Sequence, residues 1–241
     1  MNTTQRRRYL IPAAACLVAI VPLSYYYFMT AFSVASTTKF IYIDADDNVD
    51  SVVAKLRPIA SKHGMQAFCT LAIHSGYENH VKTGRYEIDP AIGAFNLYRK
   101  LKGGLQTPLN LTIPSVRTVE DLSEELGEKL MLRPGDILAA LQNPDTCARY
   151  GYTPETMICL FVPNTYDIYW NSSVEKLLDR MKKESEKFWN EDRTQKAKAL
   201  QLTPIEVITI ASIVDEETAN NGEKPMIAGM YYNRFKLRNA E

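Results

Sequence analysis

Residues 208–234, ITIASIVDEETANNGEKPMIAGMYYNR, place three consecutive carboxylates at the end of an apolar segment. That segment is predicted to be a helix, because Thr203, Pro204 and Glu206 form a capping-box pattern at its start. The run VITIASIV that follows is apolar on most sides and is typical of a buried helix. A carboxylate held against apolar surface is costly unless it keeps a proton or finds a partner, and proteins prepare general acids in this way.

Helical phase separates the three carboxylates from one another. An advance of about 100° per residue places Glu217 on the same stripe as Ile210 and Val214. Asp215 and Glu216 fall on the more polar side of the helix. Glu217 is therefore the candidate general acid. A plainer alternative stays open at this point: all three are solvated residues at a frayed helix end, where negative charge opposes the helix dipole.

Length and composition predict one or two ordinary domains with real cores, since the chain has 241 residues, of which 46% are hydrophobic. The 28 basic and 28 acidic residues balance, which gives no indication of nucleic-acid binding. The three histidines are scattered, and the cysteines follow no metal-ligand spacing. We expect neither a metal nor a cofactor.

The N-terminus carries the pattern of a membrane anchor. The arginine triplet 6–8 precedes an uncharged run from Tyr9 to Thr38. Its first part, residues 9–33, is long enough as a helix to cross a hydrocarbon core of about 30 Å. The tyrosines at 25–27 suit an interfacial belt, and the arginines are expected to stay cytoplasmic. We therefore expect a single-pass membrane protein with residues 1–38 as cytoplasmic tip and anchor, and the body of the protein outside the cytoplasm.

Two other interpretations of the N-terminus compete with an uncleaved anchor. A cleaved signal peptide needs a short apolar core, and this apolar run is longer than such cores. Residues 13–16, Ala-Ala-Ala-Cys, loosely resemble a lipoprotein cleavage site, but the apolar core before them spans only about six residues. Of the three cysteines outside this region, Cys147 and Cys159 are a candidate disulfide pair, and free thiols are the alternative.

The remaining sequence predicts an α+β fold, with a small mixed module followed by a mainly helical region. Asn48 is a good N-cap for a helix that carries Val52 and Leu56 on its apolar face. The segment 67–73 is either helix or strand. Predicted strands cover 40–43, 81–88, 106–113 and 159–163, and predicted helices cover 91–101, 119–130, 134–141 and 173–189, with Leu177, Leu178 and Met181 inward.

Five segments in order carry a resemblance to a known family. They are RYEI (85–88), LTIPSVRT (111–118), FVPNTYDIYWNSS (161–173), ASIVDEET (211–218) and EKPMIAGMYYNR (223–234). The chain resembles the MltG (YceG-like) endolytic murein transglycosylase family, in a variant like those of Bacteroidota. The last two segments are the specific ones, and the likeness extends over most of residues 40–234.

The resemblance implies an inner-membrane enzyme that cleaves peptidoglycan glycan strands in the periplasm, with cell-wall synthases as expected partners. It implies a LysM-like module, placed at 39–113, and a transglycosylase catalytic domain, placed at 114–241. The family's catalytic glutamate stands immediately before the threonine of its (E/D)-x-E-T motif. That position is Glu217, which helical phase selects on separate grounds.

The resemblance also makes five residues candidates for substrate binding. Asn164, Thr165 and Tyr166 follow the predicted strand 159–163, where a loop could line a sugar groove. Tyr166 and Tyr169 could stack on sugar rings, although core or interface packing explains such aromatics equally well. Asn233 matches the asparagine of the family's NR motif, where its amide could bind an acetamido group or orient Glu217; a plain surface position is its alternative.

The chain departs from the family pattern after the NR motif. Members normally continue through a further segment that helps complete the active site, so we expect a truncated chain with an incomplete catalytic domain and weak or no activity of its own. Two other functions stay open. One is a non-catalytic peptidoglycan-binding or scaffold protein of the cell-wall synthesis machinery, and the other is a muramidase that hydrolyses the same bond with water.

Overall fold

The structure is a computed structural model that describes residues 18–238, and these residues form two compact units. The first unit extends to Leu109 and includes Tyr169–Asn171; the second comprises Asn110–Ile168 and the chain from Ser172 onward. The predicted α+β class is confirmed in its coarse form, a helix-rich chain with two small two-stranded sheets. The domain limits at 38 and 113 stay a prediction.

The first unit pairs one short sheet with four helices. Strand β1 runs antiparallel to β2, with Ile41 opposite Tyr86. The elements in chain order are α1 (Val18–Met29), β1 (Lys39–Ile43), α2 (Val49–Leu56), α3 (Lys62–His74), a 3-10 turn (Tyr77–Asn79), β2 (Gly84–Ile88) and α4 (Ala94–Gly103).

Local signals in the sequence explain where these elements begin and end. The predicted cap of α2 is confirmed, since the Asn48 side chain accepts a hydrogen bond from the Ser51 amide at 2.9 Å. The segment 67–73, undecided from sequence, lies within α3. Helix α4 ends at Gly104, whose φ of 69° is a left-handed conformation that glycine adopts without a Cβ penalty.

The core of the first unit is built around buried aromatic rings. Phe32, Phe68, Tyr77 and Tyr98 follow one another in edge contacts, with ring centroids 6.0–6.2 Å apart. Burial raises the pKa of the Tyr77 phenol, so this ring stays neutral. Aliphatic side chains from both strands and from helices α2 and α4 pack around the rings: Ile41, Ile43, Val52, Leu56, Ile88, Leu97 and Leu101.

The predicted membrane span falls partly on residues 1–17, which include the arginine triplet and Ala13–Cys16 and lie outside the described residues. Helix α1 is apolar but ends at Met29. Phe32 is fully buried, and its backbone exchanges hydrogen bonds with Ile92 and Ser61, so residues 30–33 lie outside this helix. Within residues 18–238 no single helix is both long and apolar enough to cross a bilayer.

The second unit is mainly helical. Its strands β3 (Leu109–Ile113) and β4 (Asn164–Ile168) form the other two-stranded sheet. Its helices are α5 (Val119–Lys129), α6 (Pro134–Gln142), α7 (Pro144–Tyr150), a 3-10 turn (Met157–Leu160), α8 (Val174–Phe188), α9 (Glu191–Ala199), α10 (Pro204–Glu217) and α11 (Lys224–Arg238).

Most predictions for this unit are confirmed, and one strand is wrong. Thr118 caps α5, and α8 buries Leu177, Leu178 and Met181 as expected. The predicted strand 159–163 is instead a 3-10 turn followed by a short link to β4. Cys159, Leu160 and Phe161 are all buried, whereas alternate residues of a strand point to opposite faces.

The candidate disulfide between Cys147 and Cys159 is absent, and both are free thiols in the core of the second unit. Burial raises the pKa of each thiol, which keeps both in the unreactive protonated form. The Cys147 thiol donates instead to the carbonyl of Leu141 at 3.1 Å.

A charged cluster fixes the turn between β1 and α2. The Lys55 ammonium donates to the Tyr42 carbonyl at 2.8 Å, to Asp44 at 2.9 Å and to Asp47. Burial of the Asp47 carboxyl acts to raise its pKa. The hydrogen bonds from Lys55 and from the Asp44 amide outweigh burial, and the pKa of Asp47 lies below its ordinary value of 3.8.

Replacing Asp47 with asparagine should lower the free energy of unfolding by about 1 kcal/mol near neutral pH. Since the folded pKa is depressed, the stabilisation is complete above about pH 4 and is lost as the pH falls through the folded value. Urea unfolding of wild type and Asp47→Asn should therefore differ at pH 7 and converge in acid. An equal difference at both pH values would contradict the role assigned to this carboxylate.

Candidate functional site

Helix α10 begins with the predicted capping box. Glu206 N–H donates to Thr203 Oγ1 at 3.3 Å, and Thr203 N–H donates to Glu206 Oε2 at 2.7 Å. Pro204 occupies the first turn, where its missing N–H costs nothing. The cap starts the helix at a defined residue and therefore determines which side chains reach its other end.

The expected burial of α10 is not what the structure shows. Over residues 203–237, Val214 is the one buried side chain, with 5% of its surface exposed. Helices α10 and α11 instead flank two open cavities. The larger has a volume of about 640 Å³ and is lined mainly by Val207, Ala211 and Val214 of α10 and by residues of α11 and the preceding loop. The smaller, of about 260 Å³, lies along Ile210 and Ile213.

The three carboxylates at the end of α10 are exposed, and each binds a different side chain of the second unit. Asp215 accepts from the Lys224 ammonium at the start of α11, at 2.6 Å. Glu216 pairs with the guanidinium of Arg117, which precedes α5. That hydrogen bond lowers the pKa of Glu216. Asp215 and Glu216 are thus each paired with a cation.

Glu217 differs from its neighbours because its partner is neutral. The phenol of Tyr231 on α11 donates to Glu217 Oε1 at 2.6 Å. Tyr231 also lines the smaller cavity together with Ile210 and Ile213, whereas Glu217 itself lines neither cavity. The guanidinium of Arg234 lies 5.6 Å from the centre of the Tyr231 ring.

The loop between α10 and α11 is ordered by one further carboxylate. Glu223 accepts from the Thr218 hydroxyl at 2.9 Å and from the Asn220 side-chain amide at 3.0 Å. Its carbonyl also receives the amides of Met226 and Ile227 in the first turn of α11. Glu223 therefore couples the residue after Glu217 to the start of the next helix.

Three predicted substrate-binding residues lie in strand β4 rather than in a loop. Asn164 and Thr165 are exposed, and the Thr165 hydroxyl lies 2.9 Å from that of Thr112 on β3. Tyr166 is 5% exposed, and its phenol donates to the Val162 carbonyl at 2.6 Å. Tyr166 therefore packs in the core of the second unit.

The other two predicted contacts lie apart from these. Tyr169 belongs to the first unit and is 52% exposed. Asn233 is exposed on α11, on the side that also carries the exposed Met226 and Met230. The hydrogen bond to Glu217 comes from Tyr231, two residues before Asn233.

Sequence reasoning missed Tyr231, Lys224 and Arg117 as partners of the carboxylates. A signal for the first two was present, because a six-residue loop between two helices brings the start of the second back to the end of the first. Arg117 lies 99 residues from Glu216 in the chain, and no local sequence pattern predicts that these two side chains pair. Among residues 18–238, no group of three or more His, Cys, Asp or Glu side chains could hold a metal ion.

The chain is similar in sequence to one known protein family and to two of its relatives. Residues 41–240 match the model of the YceG-like family. Two proteins named endolytic murein transglycosylase, from Streptococcus pneumoniae strains D39 and R6, are each 27% identical over 202 residues. The alignments cover 72% of this chain and 36% of each relative. The chain thus spans about a third of the length of the curated relatives it matches.

A solved structure shares the fold. The crystal structure of a yceG-like protein, lmo1499, from Listeria monocytogenes superposes with a TM-score of 0.51 at 19% identity. The match covers 84% of this chain and 72% of the other. At this identity the likeness concerns the fold alone.

Replacing Glu223 with alanine should loosen the α10–α11 loop, because two side-chain hydrogen bonds disappear. We expect amide exchange in residues 218–227 to accelerate by about 10-fold, with little change elsewhere. Hydrogen–deuterium exchange with mass spectrometry measures this. Glu186→Ala, whose carboxylate is 62% exposed on α8 and 3.7 Å from Lys182, is the matched control and should leave the loop unchanged. Unchanged exchange in Glu223→Ala would show that backbone contacts alone order the loop.

Proposed function

Because this chain belongs to the YceG-like family, we propose that it is an endolytic lytic transglycosylase that cleaves peptidoglycan glycan strands. The cleaved bond is the β-1,4 linkage between N-acetylmuramic acid and N-acetylglucosamine, and the product carries a 1,6-anhydro end. The names of the two streptococcal relatives support this substrate and reaction. The observation that carries the proposal is the exposed Glu217 carboxyl, held at one oxygen by a neutral phenol.

A single carboxyl can perform both proton transfers of this reaction. Glu217 in its acid form would donate a proton to the glycosidic oxygen while the C1–O bond breaks through an oxocarbenium-like transition state. The carboxylate would then take the proton of the muramic C6 hydroxyl, whose oxygen bonds to C1. One proton leaves Glu217 and one returns, so the step consumes no water.

The charges around Glu217 suit this role. Asp215 and Glu216 are each paired with a cation, and the hydrogen bond from Arg117 lowers the pKa of Glu216, which disfavours its acid form. Consecutive side chains on a helix point in different directions. Neither Asp215 nor Glu216 can therefore hold a water molecule opposite Glu217 for hydrolysis. This arrangement favours transglycosylation over a muramidase mechanism.

Glycan contacts are proposed separately for each unit. In the second unit, the exposed Asn164, Thr165 and Asn233 would bind hydroxyl or acetamido groups, and the buried Tyr166 would hold β4 in place. In the first unit, Tyr169 would stack on a sugar ring. The antiparallel pairing of β1 with β2 around two helices supports the proposal that this unit is a LysM-like module.

We also propose that the protein is anchored in the inner membrane, with its bulk in the periplasm and cell-wall synthases as partners. Helix α1 supports the anchor, because Val18, Val21 and Leu23 are each at least 63% exposed and Tyr25 and Tyr26 are exposed beside them.

In the full-length protein, Glu217→Gln should lower the rate at which anhydro-muropeptides are released from purified glycan strands by at least about 100-fold. Asp215→Asn and Glu216→Gln are the matched controls and should change the rate by a few-fold at most, since exposed ion pairs contribute little. Mass spectrometry identifies the product, because an anhydro end lacks one water.

Each other outcome of this experiment rejects part of the proposal. A product with a reducing end would identify a muramidase. Wild type that binds strands without cleaving them would identify a scaffold protein. Equal losses in all three variants would show that Glu217 has no special role.

A further inference from the structure

We infer that Tyr231 is a positioning residue for Glu217, holding one oxygen of its carboxyl so that the other faces the substrate. This inference rests on the proposed function of Glu217 and extends it to a residue on the following helix. It follows from the contacts of the two side chains, the packing of the phenol ring and the chemistry of a hydroxyl donor.

The contact joins two helices through their side chains. Tyr231 lies in the second turn of α11 and reaches Glu217, the last residue of α10, across a loop of six residues. Oε1 receives the phenol at 2.6 Å, whereas Oε2 makes no hydrogen bond within the part of the chain that the structure describes. One oxygen is therefore oriented by the protein, and the other is open for proton transfer.

The phenol ring lies among side chains of both helices. It lies in the wall of the smaller cavity with Ile210, Ile213 and Phe235, and the Arg234 guanidinium lies over it from the next turn. A tyrosine has few rotatable bonds, so apolar packing on its ring restricts where its hydroxyl can point. The position of the carboxyl thus depends on helix packing as well as on its own rotamer.

A phenol suits a carboxyl that must change protonation state. An ammonium or a guanidinium can only donate and favours the carboxylate, as at Asp215 and Glu216. A tyrosine hydroxyl can donate to a carboxylate and can also donate to, or accept from, a carboxylic acid. Tyr231 can therefore remain bonded to Glu217 before and after the proton leaves.

The surroundings of the Tyr231 phenol keep it protonated. The hydrogen bond to Glu217 raises the pKa of Tyr231 above its ordinary value of 10.0, and burial and the carboxylate charge act in the same direction. The hydroxyl consequently carries its proton throughout the physiological range.

The neighbouring tyrosine provides a matched control. Tyr232 donates to the Leu200 carbonyl at 3.0 Å and lies on the side of α11 that lines the larger cavity. Tyr231→Phe and Tyr232→Phe each remove one hydroxyl from one helix, and only the first touches Glu217. Loss of stability should be similar in both variants, whereas loss of activity should not.

The test measures anhydro-muropeptide release by the full-length protein in wild type, Glu217→Gln, Tyr231→Phe and Tyr232→Phe. We expect Tyr231→Phe to lower kcat by about 10- to 100-fold, the effect of losing one hydrogen bond to a charged group, with KM nearly unchanged. Tyr232→Phe should stay within about twofold of wild type. Urea unfolding of each variant separates stability from activity.

A second readout does not depend on turnover. The Tyr231 phenol is titrated by NMR with labelled tyrosine, and its signal is assigned by its loss in Tyr231→Phe. Glu217→Gln should lower the pKa of Tyr231, since the charged acceptor is gone, and should leave Tyr232 unchanged.

The outcomes distinguish this inference from the function on which it rests. Inactive Glu217→Gln with fully active Tyr231→Phe would overturn the positioning role and leave the function standing. Equal kcat losses in both tyrosine variants would reduce Tyr231 to a structural residue. Wild type without transglycosylase activity would overturn both proposals, and an unmoved Tyr231 titration would show that the contact is absent in solution.

Discussion

Three adjacent carboxylates at the C-terminal end of a helix repel one another and oppose the helix dipole. The second unit compensates for this with a separate hydrogen-bond donor for each carboxylate. Each carboxylate requires a donor, and neighbouring positions on a helix point in different directions, so one donor cannot serve all three. Lys224 and Tyr231 come from α11, and Arg117 comes from the segment before α5. The short loop after α10 is therefore as important to the site as the helix itself, because it returns the chain within reach of its own acidic end.

The chemistry of the donors divides one acidic cluster into two kinds of group. Cations pair with two of the carboxylates, whereas the third is paired with a neutral phenol that can both donate and accept a hydrogen bond. Exposure alone does not make this distinction, since the side chains of Asp215 and Glu216 are 50% and 51% exposed and Glu217 is exposed as well. The identity of the partner is therefore what distinguishes Glu217 from its two neighbours.

Most elements could be predicted from sequence because their signals are local. Caps at Asn48, Thr118 and Thr203, and a glycine stop at Gly104, depend on residues within one turn of the helix end. The predicted strand 159–163 is wrong because the consecutive buried residues 159–161 fit a short apolar strand as well as a 3-10 turn. Partners that come from another element, such as Arg117, leave no periodic pattern, so the phase argument selects Glu217 without revealing what holds it.

The proposed reaction explains how an exposed carboxyl can serve as a general acid in this fold. A hydrolase must hold a water against the sugar as well as donate a proton, and this generally requires a second carboxylate in a fixed position. When the nucleophile is the C6 hydroxyl of the sugar being cleaved, the substrate brings its own nucleophile at high effective concentration. The protein then has to orient one carboxyl, and a hydrogen bond between two helix side chains can do this without a buried pocket. The sparse burial of the α10–α11 hairpin does not prevent this orientation, because the Tyr231–Glu217 hydrogen bond joins two side chains near the surface.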